Sequence, residues 1–183
     1  VGGRGGIHGR KSRPKPRRWR EGRGGGPGWR PGVAGARLHV PGTGRRYNPG
    51  MSLRPYKGIL PTLGARAYVD PAATVIGDVH LGEDSSVWPG CVVRGDVNHI
   101  RIGARTNIQD GTIIHVTHEG PFTRPGGFPT IIGDDVTIGH GAIVHACTIG
   151  NAVLIGMGAT VLDGAVVEDH GFVGAGAVVP PGK

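Results

Sequence analysis

Cysteine is scarce in this chain: Cys91 and Cys147 are the only two thiols among 183 residues. Two widely separated thiols supply no disulfide framework, which suits a reducing compartment. No stretch approaches the roughly twenty apolar residues of a membrane-spanning helix. The first fifty residues also lack the long apolar core of a secretory signal. These absences predict a cytoplasmic protein with no membrane partner.

Acids are nearly missing from the same first fifty residues, where thirteen Lys and Arg stand against Glu21 alone. Residues 51–183 reverse the balance, with eight Lys and Arg against twelve acids. The formal charge of +8 therefore belongs to the N-terminal segment and does not mark the rest as a nucleic-acid binder. That segment is dense in Gly, Arg and Pro and has little to bury, a composition that predicts disorder. Its Arg-Gly clusters with Trp19 and Trp29 have the charge and stacking surface for single-stranded nucleic acid, the one place where such a partner arises. The chain starts at Val1 and its first Met is Met51. Residues 1–50 accordingly read as a non-native upstream extension; an Arg-rich, acid-poor leader also resembles an organellar transit peptide, although its Gly and Pro oppose an amphipathic helix.

What the remainder does have is a period of six. Aliphatics recur at Val75, Leu81, Val87 and Val93, then at Ile102, Ile108 and Ile114, then at Ile132, Ile138 and Val144. A last block runs through Ile149, Ile155, Val161, Val167, Val173 and Val179. Gly often follows the aliphatic, as in Leu81-Gly82 and Ile138-Gly139. A six-residue period drifts around a 3.6-residue helix, so helical stripes are excluded. Short strands with one inward aliphatic and a turn at each corner predict a three-sided parallel β-helix, about 18 residues per coil and about 4.8 Å between coils. Residues 51–70 then read as a lead-in that covers the first coil, because a solenoid end exposes apolar positions and strand edges. Residues 117–129, with three prolines, break the repeat and read as an excursion from one corner. Cys91 and Cys147 fall at small inward positions and read as buried thiols. The acidic pairs Glu83-Asp84, Asp134-Asp135 and Glu168-Asp169 read as solvated corners.

The period also places the histidines. His115 follows Ile114 and His145 follows Val144, so each occupies the same place in its hexad. Without the excursion they lie one coil apart, one above the other. His140 follows Ile138 by two residues and belongs to the preceding hexad, on another face. One prism does not readily unite all three, but two prisms side by side can. His115 and His145 from one chain would meet His140 of a neighbour, and closure around a three-fold axis makes a homotrimer with three equivalent sites. Three neutral imidazoles with an open fourth position suit a catalytic zinc ion. Such an ion lowers the pKa of bound water to near neutrality and yields a hydroxide able to attack a small electrophile. Three histidines also accept Fe²⁺ or Co²⁺. Taken singly, each His reads more simply as a solvent-facing side chain on a β surface; their joint spacing beside an excursion favours metal.

Over residues 55–183 the chain resembles the γ-class carbonic anhydrases of the hexapeptide-repeat, left-handed β-helix family. The motifs that carry the likeness are VWPGCVVRGDVNHIRIG from Val87, NIQDGTIIH from Asn107 and IGHGAIVHACTIGNAVLIGMGA from Ile138. The hexapeptide repeat alone is less specific, since acyltransferases share it. The resemblance implies His115, His140 and His145 as metal ligands and reversible hydration of CO₂ to bicarbonate by metal-bound hydroxide. It implies that Gln109 helps orient the metal-bound solvent, with Asn107 in the same polar patch. It further implies that Arg94, Asp96 and Asp110 form a charged network near the site and subunit boundary. Without it, Arg94 and Asp96 read equally well as a solvated corner pair.

Two departures stand beside the likeness. Active members carry acids in loops near the site that relay protons, whereas Arg94-Gly95-Asp96 here runs directly into Val97-Asn98-His99. The 117–129 excursion offers only Glu119 and His118, both more simply exposed loop side chains. Members of the family also continue into a C-terminal helix that packs along the prism, and its lack here predicts a fragment or premature end. Two other functions share the fold: an acyl-CoA-dependent transferase using a His base without metal, and a metal-binding scaffold without catalysis.

Overall fold

The computed structural model describes residues 52–183 and two short strands before them, Leu38–His39 and Arg46–Tyr47, which pair antiparallel. The rest of the first 51 residues, for which the sequence predicts disorder and a leader, lie outside the described residues.

From Leu53 onward the chain winds into a left-handed parallel β-helix with three faces. One face is a six-stranded parallel sheet built from Tyr68–Val69, Ser86–Val87, Asn107–Ile108, Thr137–Ile138, Leu154–Ile155 and Phe172–Val173, in that stacking order. The other two faces merge into one sheet of eleven strands, because Thr74–Leu81 and Val92–Ile102 run continuously around the corner between them. Among the described residues there is no helix, and hence none long and apolar enough to cross a membrane.

The six-residue series forms the core. Every aliphatic of the series from Val75 to Val173 is buried, and Val179 packs half-buried against them. Their neighbours point outward, since strand side chains alternate. Cys91 and Cys147 are free and buried, as expected. The 51–70 lead-in is itself part of the stack. Its strands Leu53–Arg54, Thr62–Leu63 and Tyr68–Val69 each pair in parallel with the coil that follows.

Three irregularities in coil length matter for the site. Val75 pairs with Val93, one regular coil on, and Gly77 pairs with Gly95; the register then jumps, so that Val79 faces Ile100. Three extra residues, 96–98, are extruded there. The glycines permit it, because a Cβ on Gly77 (φ +77°) would lie 2.2 Å from the Gly95 carbonyl oxygen. The second irregularity is the 117–129 excursion, pinned at its base by a two-way backbone pairing of Thr117 with Phe128, both bonds 2.9 Å. The third is a coil shortened by one residue, which sets Ile132 opposite Ile149. Ala146, at φ 52°, takes the corner where that residue is missing.

Candidate metal centre

His115 and His145 end the strands Ile113–His115 and Ile143–His145, which pair in parallel with Ile114 opposite Val144 and His115 opposite His145. Burial of Ile114 and Val144 fixes the pleat, so the next residue on each strand turns its ring outward. The rings stack at 5.1 Å between centroids, tilted by 55°. His115 Nδ1 and His145 Nε2 face each other at 3.1 Å. The buried Thr130 locks the backbone beneath them: its hydroxyl donates to the His115 carbonyl and accepts from the Ala146 amide.

The two outer ring nitrogens each meet a carboxylate. His115 Nε2 lies 2.9 Å from Asp96 Oδ1, and Asp96 is gripped from its other side by the Arg94 guanidinium. The extruded residues at 96–98 put that carboxylate within reach. His145 Nδ1 lies 2.6 Å from Asp163 Oδ1, while Asp163 Oδ2 accepts from the Thr117 hydroxyl. Burial holds the His115 pKa below the ordinary histidine value, and the pull of Asp96 only partly offsets it. Burial opposes ionisation of Asp96, but the hydrogen bonds from His115 and Arg94 outweigh it and keep the carboxyl below its usual range. Asp163 behaves alike: the hydrogen bonds from Thr117 and His145 overcome its burial. Around His115 the neighbourhood favours neutral imidazole beside ionised carboxylate.

His140 sits elsewhere, at the corner after Thr137–Ile138. Its Nδ1 lies 3.0 Å from Asp110 Oδ2, and both side chains are about half exposed. Gln109 and His140 line an open groove of about 460 Å³ whose other walls include Leu154, Met157 and Phe172. Asn107 accepts from the Trp88 indole at 2.7 Å and from the Ser86 hydroxyl at 3.1 Å. The structure thus gathers Arg94, Asp96, His115 and His145 into one cluster. It pairs His140 with Asp110 beside Gln109, and sets Asn107 with Trp88. Among the described residues, no group of three His, Cys, Asp or Glu in one chain is disposed to hold a metal ion.

The donor set of the cluster nevertheless fits a borderline cation. Two imidazole nitrogens bound to a tetrahedral zinc at about 2.0–2.1 Å stand about 3.3 Å apart. The facing nitrogens of His115 and His145 are 3.1 Å apart. Their outer nitrogens are already committed to carboxylates, the arrangement that orients metal-ligating histidines.

Asp163 and Thr117 escape a reading that looks only for histidines. The spacing hides it: Asp163 follows His145 by 18 residues, but the coil there is one residue short, with Val144 opposite Val161, so counting by six sets Leu162 over His145 and Asp163 one position on. Glu119 is turned back into its own loop, where it accepts from the Gly126 amide at 3.1 Å.

Comparison with known proteins agrees with the repeat and the fold. Residues 146–181 match the family described as "Bacterial transferase hexapeptide (six repeats)". The chain is 53% identical over 131 residues to protein YrdA of Escherichia coli, covering 72% of this chain and 71% of that protein. It is 55% identical over 119 residues to the mitochondrial γ carbonic anhydrase 1 of Arabidopsis thaliana, covering 65% of this chain but only 42% of that protein. A crystal structure of a hexapeptide transferase family protein from Anaplasma phagocytophilum superposes with a TM-score of 0.65 at 43% identity, over 72% of each chain. The chain belongs to the hexapeptide-repeat, left-handed β-helix family. Within it, the chain is similar to proteins named γ carbonic anhydrase, of whose length it spans less than half.

Proposed function

We propose that the protein is a γ-class carbonic anhydrase-like metalloenzyme that hydrates CO₂ reversibly to bicarbonate, at a centre shared between neighbouring chains of a homotrimer. The observation that carries this reading is the in-register pair His115 and His145, with facing ring nitrogens 3.1 Å apart. In this reading His115 and His145 of one chain and His140 of the next hold the ion, Zn²⁺ first, with Fe²⁺ or Co²⁺ as substitutes. When bound, such an ion supplies a Lewis acid that brings the pKa of a ligated water near neutrality.

The chain's own residues supply the rest. Asp96 orients His115, and Arg94 holds Asp96 in its ionised form. Asp110 does the same for His140 across 3.0 Å. The Gln109 amide, on the wall beside His140, has both a donor and an acceptor with which to fix a solvent proton and a product oxygen. Asn107, held by Trp88 and Ser86, extends the polar lining. The neighbouring chain has a place to dock, since Leu154, Met157 and Phe172 stand exposed around His140. Two free, buried thiols suit the cytoplasm.

The test is elemental analysis of wild type and His140→Ala, with CO₂ hydration measured on the same samples. The expected outcome is near-stoichiometric metal and hydration above background for wild type, and loss of both for His140→Ala. Metal without hydration would leave a scaffold, and a metal-free wild type would return the reading to an acyl-CoA-dependent transferase; relatives of the fold are described as hexapeptide transferases.

A further inference from the structure

We propose that Asp163, keyed by Thr117, is a positioning residue that selects the tautomer of His145 and so turns its Nε2 lone pair toward the metal position. The inference rests on the metal reading above and extends it to a residue outside the histidine motifs.

The geometry is built from two separate parts of the stack. Asp163 lies one coil beyond His145, and its Oδ1 approaches Nδ1 of that ring to 2.6 Å. A carboxylate only accepts, so the ring must donate, and its proton resides on Nδ1. Nε2 is then left as a lone pair, directed at His115 Nδ1 across 3.1 Å. Asp96 imposes the complementary choice on His115, since its Oδ1 meets Nε2 and leaves Nδ1 as the lone pair. Both lone pairs point into the same gap, where two bare acceptors repel each other unless a cation or a proton lies between them.

Asp163 is in turn fixed at several points. Its backbone carbonyl accepts from Gly182, and the next residue, Gly164, donates to Ala146 beside His145. Its second carboxylate oxygen accepts from Thr117 at the base of the excursion. Phe128, the other half of that base, packs against Gly164, where an added Cβ would sit 3.2 Å from its ring. The excursion therefore closes a wall behind His145 and contributes the hydroxyl that stops the Asp163 carboxylate from rotating. Asp163→Asn is the informative change, because it keeps the shape and reverses the hydrogen-bond logic. With the carboxamide oxygen of the variant still accepting from Thr117, the carboxamide NH₂ would donate to His145 Nδ1 and drive the ring proton onto Nε2, the nitrogen needed for metal.

Long-range ¹H–¹⁵N correlation spectra of the metal-free protein read this directly. Wild type should show His145 protonated at Nδ1, and Asp163→Asn should show it protonated at Nε2, with the melting temperature and secondary structure retained. Co²⁺ affinity, measured by competition with a chromophoric chelator, should fall about 10–100-fold in Asp163→Asn, the usual effect of losing an outer partner of a ligating histidine. Thr117→Val should give a smaller loss and Thr117→Ser should restore it. An unchanged His145 tautomer in Asp163→Asn, or unchanged Co²⁺ affinity in a folded variant, overturns the proposal. A wild type that binds no Co²⁺ at all, while showing the expected tautomers, defeats the metal reading and with it the assigned purpose of Asp163, so the two failures are told apart.

Discussion

At the scale of single residues, what distinguishes this site is the pairing of each exposed polar group with a buried neighbour in sequence. His115 and His145 reach their positions because Ile114 and Val144 have none of their surface exposed. The two cysteines show the opposite case, with chemistry suppressed by position. Burial pushes the Cys147 thiol up to about 12, and burial also raises that of Cys91, whose Sγ donates to the Gln109 carbonyl at 3.0 Å. Both thiols should therefore remain unreactive toward a water-soluble disulfide reagent at pH 8 and titrate as two per chain once the protein is unfolded. Rapid labelling of the folded protein would show that the coils around Cys91 or Cys147 open readily.

At the scale of the coil, much of the structure is legible in the sequence and some is not. The inward aliphatics, the excursion and the stacking of His115 on His145 follow from counting by six, because burial enforces the count at every strand. The extrusion at 96–98 is not legible as a step in register. It depends on Gly77 and Gly95 letting two backbones pass closely, and a search for acids registers only that no acidic loop follows Arg94. The corner acids read as solvated, and all but the partly buried Asp134 are exposed, but they also form a ladder. Arg66 donates to Asp84 at 2.7 Å and Arg105 donates to Asp135 at 2.6 Å, all four residues at positive φ on the same corner. Hydrogen bonds from Arg66 and Arg105 hold the carboxyls of Asp84 and Asp135 below the usual carboxylate value. A depressed folded pKa gives stability that is present above the unfolded value, about 4, and lost as pH falls through the folded value. Urea midpoints of the wild type should therefore lie slightly above those of an Arg66→Gln/Arg105→Gln variant at neutral pH, by the small amount exposed pairs contribute, and should drop more steeply below about pH 4 until the two converge. Parallel acid limbs for the two proteins would show that these corner pairs do not couple to folding.

At the scale of the whole molecule, one chain assembles two imidazoles and leaves the third on another corner, so the proposed centre depends on association. Mixing makes this testable. His115→Ala and His140→Ala chains should each bind no metal alone. When refolded together in equal amounts, about one boundary in four brings an intact His115 and His145 pair against an intact His140, if three chains assemble at random around a closed ring. Metal content and CO₂ hydration should both recover to about that fraction of wild type. No recovery from mixtures that do form hybrid assemblies would place all three ligands, or none, within a single chain. The histidine spacing makes the separation of His140 from His115 and His145 readable in the sequence. The carboxylate behind His145 is not readable by that spacing, because the coil shortened at Ala146 displaces Asp163 by one position from the place the count by six assigns.

The excursion that begins at Thr117 carries one more consequence. Its two ends are stitched together by the paired amides of Thr117 and Phe128, whereas Phe122 near its tip is 98% exposed. Closing a longer loop over the same stitched base costs little, since the entropy grows only with the logarithm of length. The tip is thus a natural graft point, where an affinity peptide or a fluorophore could be inserted after Phe122 with the stitched base left intact.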